Sequence, residues 1–497
     1  MKFFFLYLVF LIPIYSQVTT KIFPYDGGDY HRFGYNLSID STFFAVSAQN
    51  GSLGAGAVYI YKLSNNKIQY MQKIIPDTSY FGYNFGSPVL MKDSLLFIGA
   101  NKKVLIYQLN NDSIFQKIEA LVPFDPMQTE QYGRAISEHN KTLFIGAYAD
   151  GLEDKGAAYY YDYLDTGWVF KQKIYPGIAE RRAHFGSRLA HSDKYAIISA
   201  PGDGYQSGPM RGSAFLYEKT DSGWIETQKI LPTDSTYYQL FGIDLALDNN
   251  KITIGAVGHP TLNQWHYGRI YIYEISEDGI AELRDSIFAS DNYPGNNFGW
   301  SFRLRRDSLF IGAFGTSYLA ANPQNQGQDT WAYLFNKTEN GWEEKLKFEP
   351  TIQDPESVFG WAVDFLNGNF LVGAPGDPFQ GFKSGVAYLF QPNITSIIDE
   401  EFITDNYNLY QNYPNPFNPV TKIKFSVPKS DIVQIKVYDV LGSEIKLLLN
   451  EYKQNGTYEI EFSTGSFGDA SNLPSGVYFY RMISGSYAET KKMILLR

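Results

Sequence analysis

A chain of 497 residues with 39 Tyr, 37 Phe, 44 Gly and 23 Pro is too long for one hydrophobic core and rich in residues that favour strands and turns. It reads as an all-β protein of at least two domains. A net charge of -10 offers no basic surplus for phosphates, which argues against a nucleic-acid partner, and the lack of cysteine excludes disulfides, thiolate zinc sites and cysteine nucleophiles. In chain order, Lys2 precedes an apolar run from Phe3 to Tyr15 that is too short to span a bilayer but suits a signal peptide, with cleavage expected between Ser16 and Gln17. Residues 1–16 are therefore expected to be removed, and no later run is long enough for a transmembrane segment in the mature chain.

Residues 17–392 repeat. Seven units align on an aromatic-glycine pair at Phe33, Phe85, Tyr132, Phe185, Phe241, Phe298 and Phe359, and fifteen positions on each has an alanine, from Ala48 to Ala374. An alternating aromatic strand follows, ending at Tyr61, Tyr107, Tyr161, Tyr217, Tyr273, Phe335 and Phe390. A fourth strand, opened by Trp168, Trp224 or Trp342 in three units, closes on a phrase such as KIIP (73–76), KIYP (173–176) or KILP (229–232). Four short strands per unit, at a spacing of 47 to 61 residues, predict a seven-bladed β-propeller.

The seventh unit stops at Phe390, while an isolated KIFP stands at 21–24. Pro24 lies nine residues before Phe33, the interval that separates Pro76 from Phe85 and Pro176 from Phe185. The N-terminal segment is thus expected to supply the missing fourth strand of blade seven and close the ring. Taken together, these units resemble the FG-GAP repeats of integrin α chains, and the resemblance implies a rigid propeller that binds its ligand without catalysis.

Integrin-type repeats carry Asp-rich calcium loops between strands one and two, and here the chain departs from them. Those turns are as short as "DST", "SDK" or "DNN", too few oxygens for a calcium cage, so no metal or cofactor is expected and Asp40, Asp93 and Asp248 read as turn residues. Length varies elsewhere. From alanine to the last aromatic of strand three the counts are 13, 7, 14, 17, 17, 22 and 16, so the strand two to three connections make one face of the disk variable.

These connections hold the candidate ligand-binding residues: Tyr148, Asp150, Asp203, Tyr205, Trp265, His266, Tyr267, Tyr318, Asp377, Phe379 and Phe382. Asp203 and Asp377 also suit Pro-Gly turns. The histidines are scattered, and Arg303, Arg305 and Arg306 read as the solvated edge of a turn. The sequence points to a secreted or cell-surface binding protein for an extracellular glycan or protein. Two alternatives are a polysaccharide-acting enzyme using Asp150, Asp203 or Asp377, and a structural surface-layer component.

Residues 393–407 are acidic and aperiodic, a linker. Residues 408–497 return to alternation and predict a small Ig-like β-sandwich. "YPNPFNP" (413–419), "VYDVLG" (437–442), "LPSGVYFYRM" (473–482) and the terminal "KKMILLR" resemble the type A C-terminal sorting domain of the type IX secretion system of Bacteroidota. That resemblance implies Sec export, passage across the outer membrane by the type IX machinery as partner, and a sorting signal that includes Tyr413, Pro414, Asn415, Pro416, Phe417, Asn418, Pro419, Gly476, Tyr478 and Lys492.

Overall fold

The computed structural model describes the chain except residues 1–16, 50–55, 65–66, 77–84, 101, 126–128, 205–210, 234–239, 258–267, 292–295, 316–329, 393–406, 413, 429–430, 454–455, 465–472, 486 and 497. The expected signal peptide, residues 393–406 of the expected linker, and candidates Tyr205, Trp265, His266, Tyr267, Tyr318 and Tyr413 lie outside the described residues, while Tyr407, the last linker residue, packs on Tyr487 of the C-terminal unit. Two compact units emerge, Gln17–Gln391 and the chain from Pro392 onward.

The first unit holds seven four-stranded antiparallel sheets among the described residues. Six are consecutive meanders, such as Phe33–Ile39, Phe43–Ala48, Ala57–Ser64 and Lys67–Ile74. The seventh takes Ala362–Leu366, Asn369–Ala374 and Val386–Pro392 from the end of the repeat and Gln17–Ile22 from its beginning, the latter beside Val386–Pro392. The N-terminal strand is thus the outer strand of blade seven.

Seven separate apolar clusters each join two successive sheets, and the last joins the seventh sheet back to the first through Ile22, Phe33, Tyr59, Leu371 and Leu389. First strands touch first strands around the whole circuit, so they line the axis. The aromatic of each aromatic-glycine pair is buried. In six blades it meets a third-strand ring edge-on, as Phe33 meets Tyr59 at 5.4 Å and Phe359 meets Tyr388 at 5.2 Å.

The paired glycine approaches the preceding blade. At Gly34 (φ +89) a Cβ would lie 2.5 Å from the Val386 carbonyl, and at Gly360 (φ +91) 2.6 Å from that of Trp331. No other residue combines that backbone with that clearance. Six sheets also carry a bulge between strands three and four just before the closing aromatic, for example at Ile60/Tyr61 and Leu216/Tyr217. Bulges sharpen local twist, which turns the outer strand across the blade.

The second unit packs two sheets over one core. One holds Asn408–Leu409, Val420–Val427 and Gly456–Ser463; the other runs Glu444–Lys453, Asp431–Tyr438, Gly476–Ser484, Tyr487–Leu495. Phe425, Val437, Phe462, Tyr480 and Met493 meet between them.

Candidate functional site

The strand two to three connections share a face with the crossovers between blades, because the two are hydrogen-bonded to each other. In blade seven, Tyr30 and Arg32 of the first crossover donate backbone N–H groups to the Phe382 and Lys383 carbonyls at 2.7 and 3.0 Å. Between blades three and four, Arg182 N donates to Glu153 O at 2.8 Å and Phe185 N to Lys155 O at 2.9 Å.

Under these loops runs a repeated clasp made by the lysine of the KIxP phrase. In blade three Lys173 reaches Asp150 at 3.0 Å and Asp125 at 3.1 Å, and Tyr159 donates to Asp150 at 2.6 Å. In blade four Lys229 meets Asp203 at 2.6 Å, with Ser213 donating its hydroxyl at 2.7 Å where Phe215 has none. In blade seven Tyr388 donates to Asp377 at 3.0 Å and Lys21 stands 4.0 Å away. Blades one and six take the carboxylate from the crossover instead: Asp26 pairs with Lys73 and Tyr59, and Asp291 with Lys347 and Tyr333.

These clasps redefine three candidates. Asp150, Asp203 and Asp377 are 1%, 4% and 8% exposed, and each carboxylate is committed to holding its own connection against strand four. Asp203 and Asp377 also sit in the turns expected of them, their N–H groups donating to Ala200 O and Ala374 O at 3.1 Å. Burial raises the Asp150 carboxyl above its usual range, against the bonds from Tyr159 and Lys173. Burial lowers the Lys173 ammonium, but the hydrogen bonds it makes to Tyr175, Asp150 and Asp125 outweigh that and hold the group above its usual range.

Phe379 and Phe382 stand out from this layer at 54% and 50% exposed. Phe379 packs on Phe23 at 4.9 Å and Phe382 on Tyr30 at 5.2 Å, and Lys21 lies 5.3 Å from the Phe379 ring. Phe23, Tyr25 and Tyr30, all exposed, come from the N-terminal strand and its crossover and escaped the sequence reading. Their only sequence signal is that KIFP closes blade seven beside the connection that carries Phe379.

Nearer the axis, the residue after the aromatic-glycine pair is Tyr35, Trp300 or Trp361 in three adjoining blades. Trp361 meets Tyr35 at 5.3 Å, Trp300 at 4.9 Å and Phe314 at 5.2 Å, forming a half-buried aromatic arc. Tyr148 is also half-buried, packed on His184 at 5.4 Å with Arg134 over its ring at 6.0 Å.

Two expectations need correcting. Arg303 and Arg305 lie on the first strand of blade six rather than at a solvated turn: Arg305 pairs with Asp364 at 3.1 Å, and Arg303 lies 3.7 Å from Asp244 and 3.9 Å from Asp364. Both carboxylates are buried and accept backbone N–H groups of the next blade, Phe302 to Asp244 at 3.0 Å and Ile39 to Asp364 at 2.9 Å. Scattered histidines are expected at the surface, and here too the structure differs. His191 is buried, bonded to Ser137 at 2.8 Å and Thr142 at 2.7 Å, and burial, with His139 near it, pushes its pKa down to about 3.

On the opposite face Asp40 caps its turn as expected, accepting from Thr42 N at 2.9 Å, and Asp93 adopts φ 55. Asp248 also reaches across, accepting from Arg306 N at 2.6 Å, and Lys251 pairs with Asp307 of the next blade at 2.8 Å. No group of three or more metal-ligating side chains occurs among the described residues.

In the C-terminal unit the sorting stretches are largely structural. Asn415 accepts from Ile494 N at 2.8 Å, and buried Phe417 exchanges backbone bonds with Ile494 and Leu496 at 2.9 and 3.0 Å. The Pro414 carbonyl accepts from Thr421 at 2.8 Å and that of Pro419 from Thr464 N at 3.0 Å. Pro416 and Asn418 are exposed between them. Gly476 opens a strand, Tyr478 is buried with its hydroxyl donating to Pro474 O at 2.7 Å, and the Lys492 carbonyl accepts from Gln411 at 2.7 Å.

Comparison with known proteins fits both units. Residues 411–496 match the secretion system C-terminal sorting domain and residues 17–61 the FG-GAP repeat. The chain therefore carries a sorting domain, which marks it for secretion to the cell surface or extracellular space. No curated protein matches it. Similar solved structures include PorZ, a surface component of the type-IX secretion system of Porphyromonas gingivalis (13% identity, TM-score 0.44, 95% of this chain and 60% of that one). Others are a protein from Lactobacillus plantarum (12%, 0.46, 67% and 88%) and the periplasmic gluconolactonase of Pseudomonas aeruginosa (9%, 0.40, 63% and 84%). This chain thus spans less than two thirds of the PorZ length. No helix among the described residues is long and apolar enough to cross a membrane.

Proposed function

We propose that this protein is a non-enzymatic binding protein, exported by the type IX route, that takes an extracellular glycan or protein on the propeller face carrying the strand two to three connections. One observation carries the reading: on that face the candidate carboxylates are spent on clasps, while the rings of Phe23, Tyr25, Tyr30, Phe379 and Phe382 are left to solvent. Exposed rings on a braced loop offer contact area at small entropic cost. In sequence, Tyr205, Trp265, His266, Tyr267 and Tyr318 fall in strand two to three connections of other blades, and they remain part of the proposed ligand set. The domain limits fit this role, with 17–392 as the binding unit, 393–407 as tether and 408–497 as address.

The test is to probe arrays of surface glycans and of extracellular proteins with the mature chain. A saturable ligand, together with no turnover of a polysaccharide panel, is the expected outcome. Hydrolysis or lyase activity that survives purification would replace this reading with an enzymatic one.

A further inference from the structure

The sorting-domain match assigns export to the C-terminal unit as a whole and gives no part of its surface to the export apparatus. Seven large hydrophobic side chains of that unit are exposed among the described residues, and five of them, Ile432, Val440, Leu441, Leu447 and Tyr452, belong to one hairpin. It is formed by Asp431–Tyr438 and Glu444–Lys453, the latter an edge strand of its sheet.

The tip of this hairpin is a braced turn. Asp439 Oδ1 accepts the N–H groups of Leu441 and Ser443, both at 2.8 Å, Gly442 N donates to Asp439 O at 3.1 Å, and Gly442 takes φ 83. Val440 and Leu441 are thereby held outward at 66% and 87% exposed. At the far end Ile432 faces Tyr452 across the strands. In the other sorting stretches Phe417, Tyr478, Tyr480, Met482 and Met493 are in the core instead, although Leu496 is exposed.

We infer that this hairpin is the element gripped by the outer-membrane export apparatus, with Val440 and Leu441 as anchors in an apolar cleft of that partner. The inference rests on the export reading. Two adjacent large side chains on a rigid, otherwise polar turn contribute nothing to the core and mark a contact surface. The flanking charges cancel locally, Lys436 with Glu444 at 2.8 Å and Lys453 with Glu451 at 2.6 Å. That leaves apolar burial as the source of grip and a neutral cleft as its complement.

The full-length chain would be expressed in a bacterium with a type IX system, as wild type, as the Val440→Ser/Leu441→Ser double variant, as Leu441→Lys alone, and without residues 411–496. The tip variants should melt like wild type yet lose at least about tenfold of secreted protein to the periplasm, the factor that about 1.4 kcal/mol of docking energy sets. Truncation should block export, whereas the conservative Leu441→Met change in the full-length chain should leave it at the wild-type level. If truncation blocks export while both tip variants are secreted normally, the hairpin assignment is overturned and the export reading stands. Normal secretion of the truncated chain would overturn both. Should the double variant melt lower, the Leu441→Lys change, at the more exposed of the two positions, decides alone.

Discussion

Gly360 shows how a single position can serve the ring. At φ +91, with the Trp331 carbonyl 2.6 Å and the Ala313 nitrogen 2.9 Å from where a Cβ would stand, Gly360→Ala adds backbone strain and a clash that only separation of two blades relieves. A loss of about 2 kcal/mol or more is expected, read as a lowered denaturant midpoint; an unchanged midpoint would show that the blades do not approach as described. His191 makes a pH prediction. Its ordinary pKa of 6.5 applies to the unfolded chain and falls to about 3 in the fold, so between those values the unfolded state binds more protons and stability rises with pH. The contribution is fully present above pH 6.5 and is lost on acidification, by about 3 kcal/mol at pH 4. Equilibrium unfolding of wild type and His191→Asn from pH 4 to 7 should show this slope in the former and its loss in the latter.

At the level of the strand, the KIxP phrase and the glutamine before it become a set of separate tasks. Gln172 donates to the Trp224 carbonyl at 3.0 Å and accepts from its N–H at 2.8 Å, tying one outer strand to the next; Gln72 does the same at Phe115 and Gln228 at Ala281. The lysine clasps a carboxylate, the isoleucine fills the interblade core, and the proline turns the chain. Gln172→Ala should cost about 1–3 kcal/mol, because it strands two backbone groups. A double variant with Gln228→Ala should add to it, as the two sites belong to different blade junctions. Blades were legible because their spacing survives every insertion. The clasps were not, since their carboxylate comes from three residues past the strand-two alanine in blades three, four and seven, but in blades one and six from two residues past Pro24 and Ala289, where the preceding blade's fourth strand closes. Asp150, Asp203 and Asp377 were therefore visible as candidates and invisible as braces. The aromatic arc of Tyr35, Trp300 and Trp361 was in plain register behind each aromatic-glycine pair, but only the ring of first strands places those positions together. Arg303 misled because a dense basic run looks solvated until its partners, which lie 59 and 61 residues away in sequence, are known.

Across the molecule, closure depends on the eight residues 17–24. Deleting residues 17–24 removes the outer strand of blade seven, the Ile22 packing and the Lys21 clasp together. It should lower the melting temperature far more than removing an equal length from one of the long strand two to three connections. The same strand brings Phe23 and, through its crossover, Tyr25 and Tyr30 to the face where Phe379 and Phe382 stand, so closing the ring also builds the proposed binding surface. The most direct test uses a ligand captured by the mature chain and compares two double variants, Phe379→Ala/Phe382→Ala on that face and Tyr163→Ala/Leu164→Ala at an exposed turn of the opposite face. The account predicts at least about tenfold weaker binding in the first, the effect of losing a modest hot spot, with unchanged melting, and full affinity in the second. Full affinity in the first and loss in the second would contradict it.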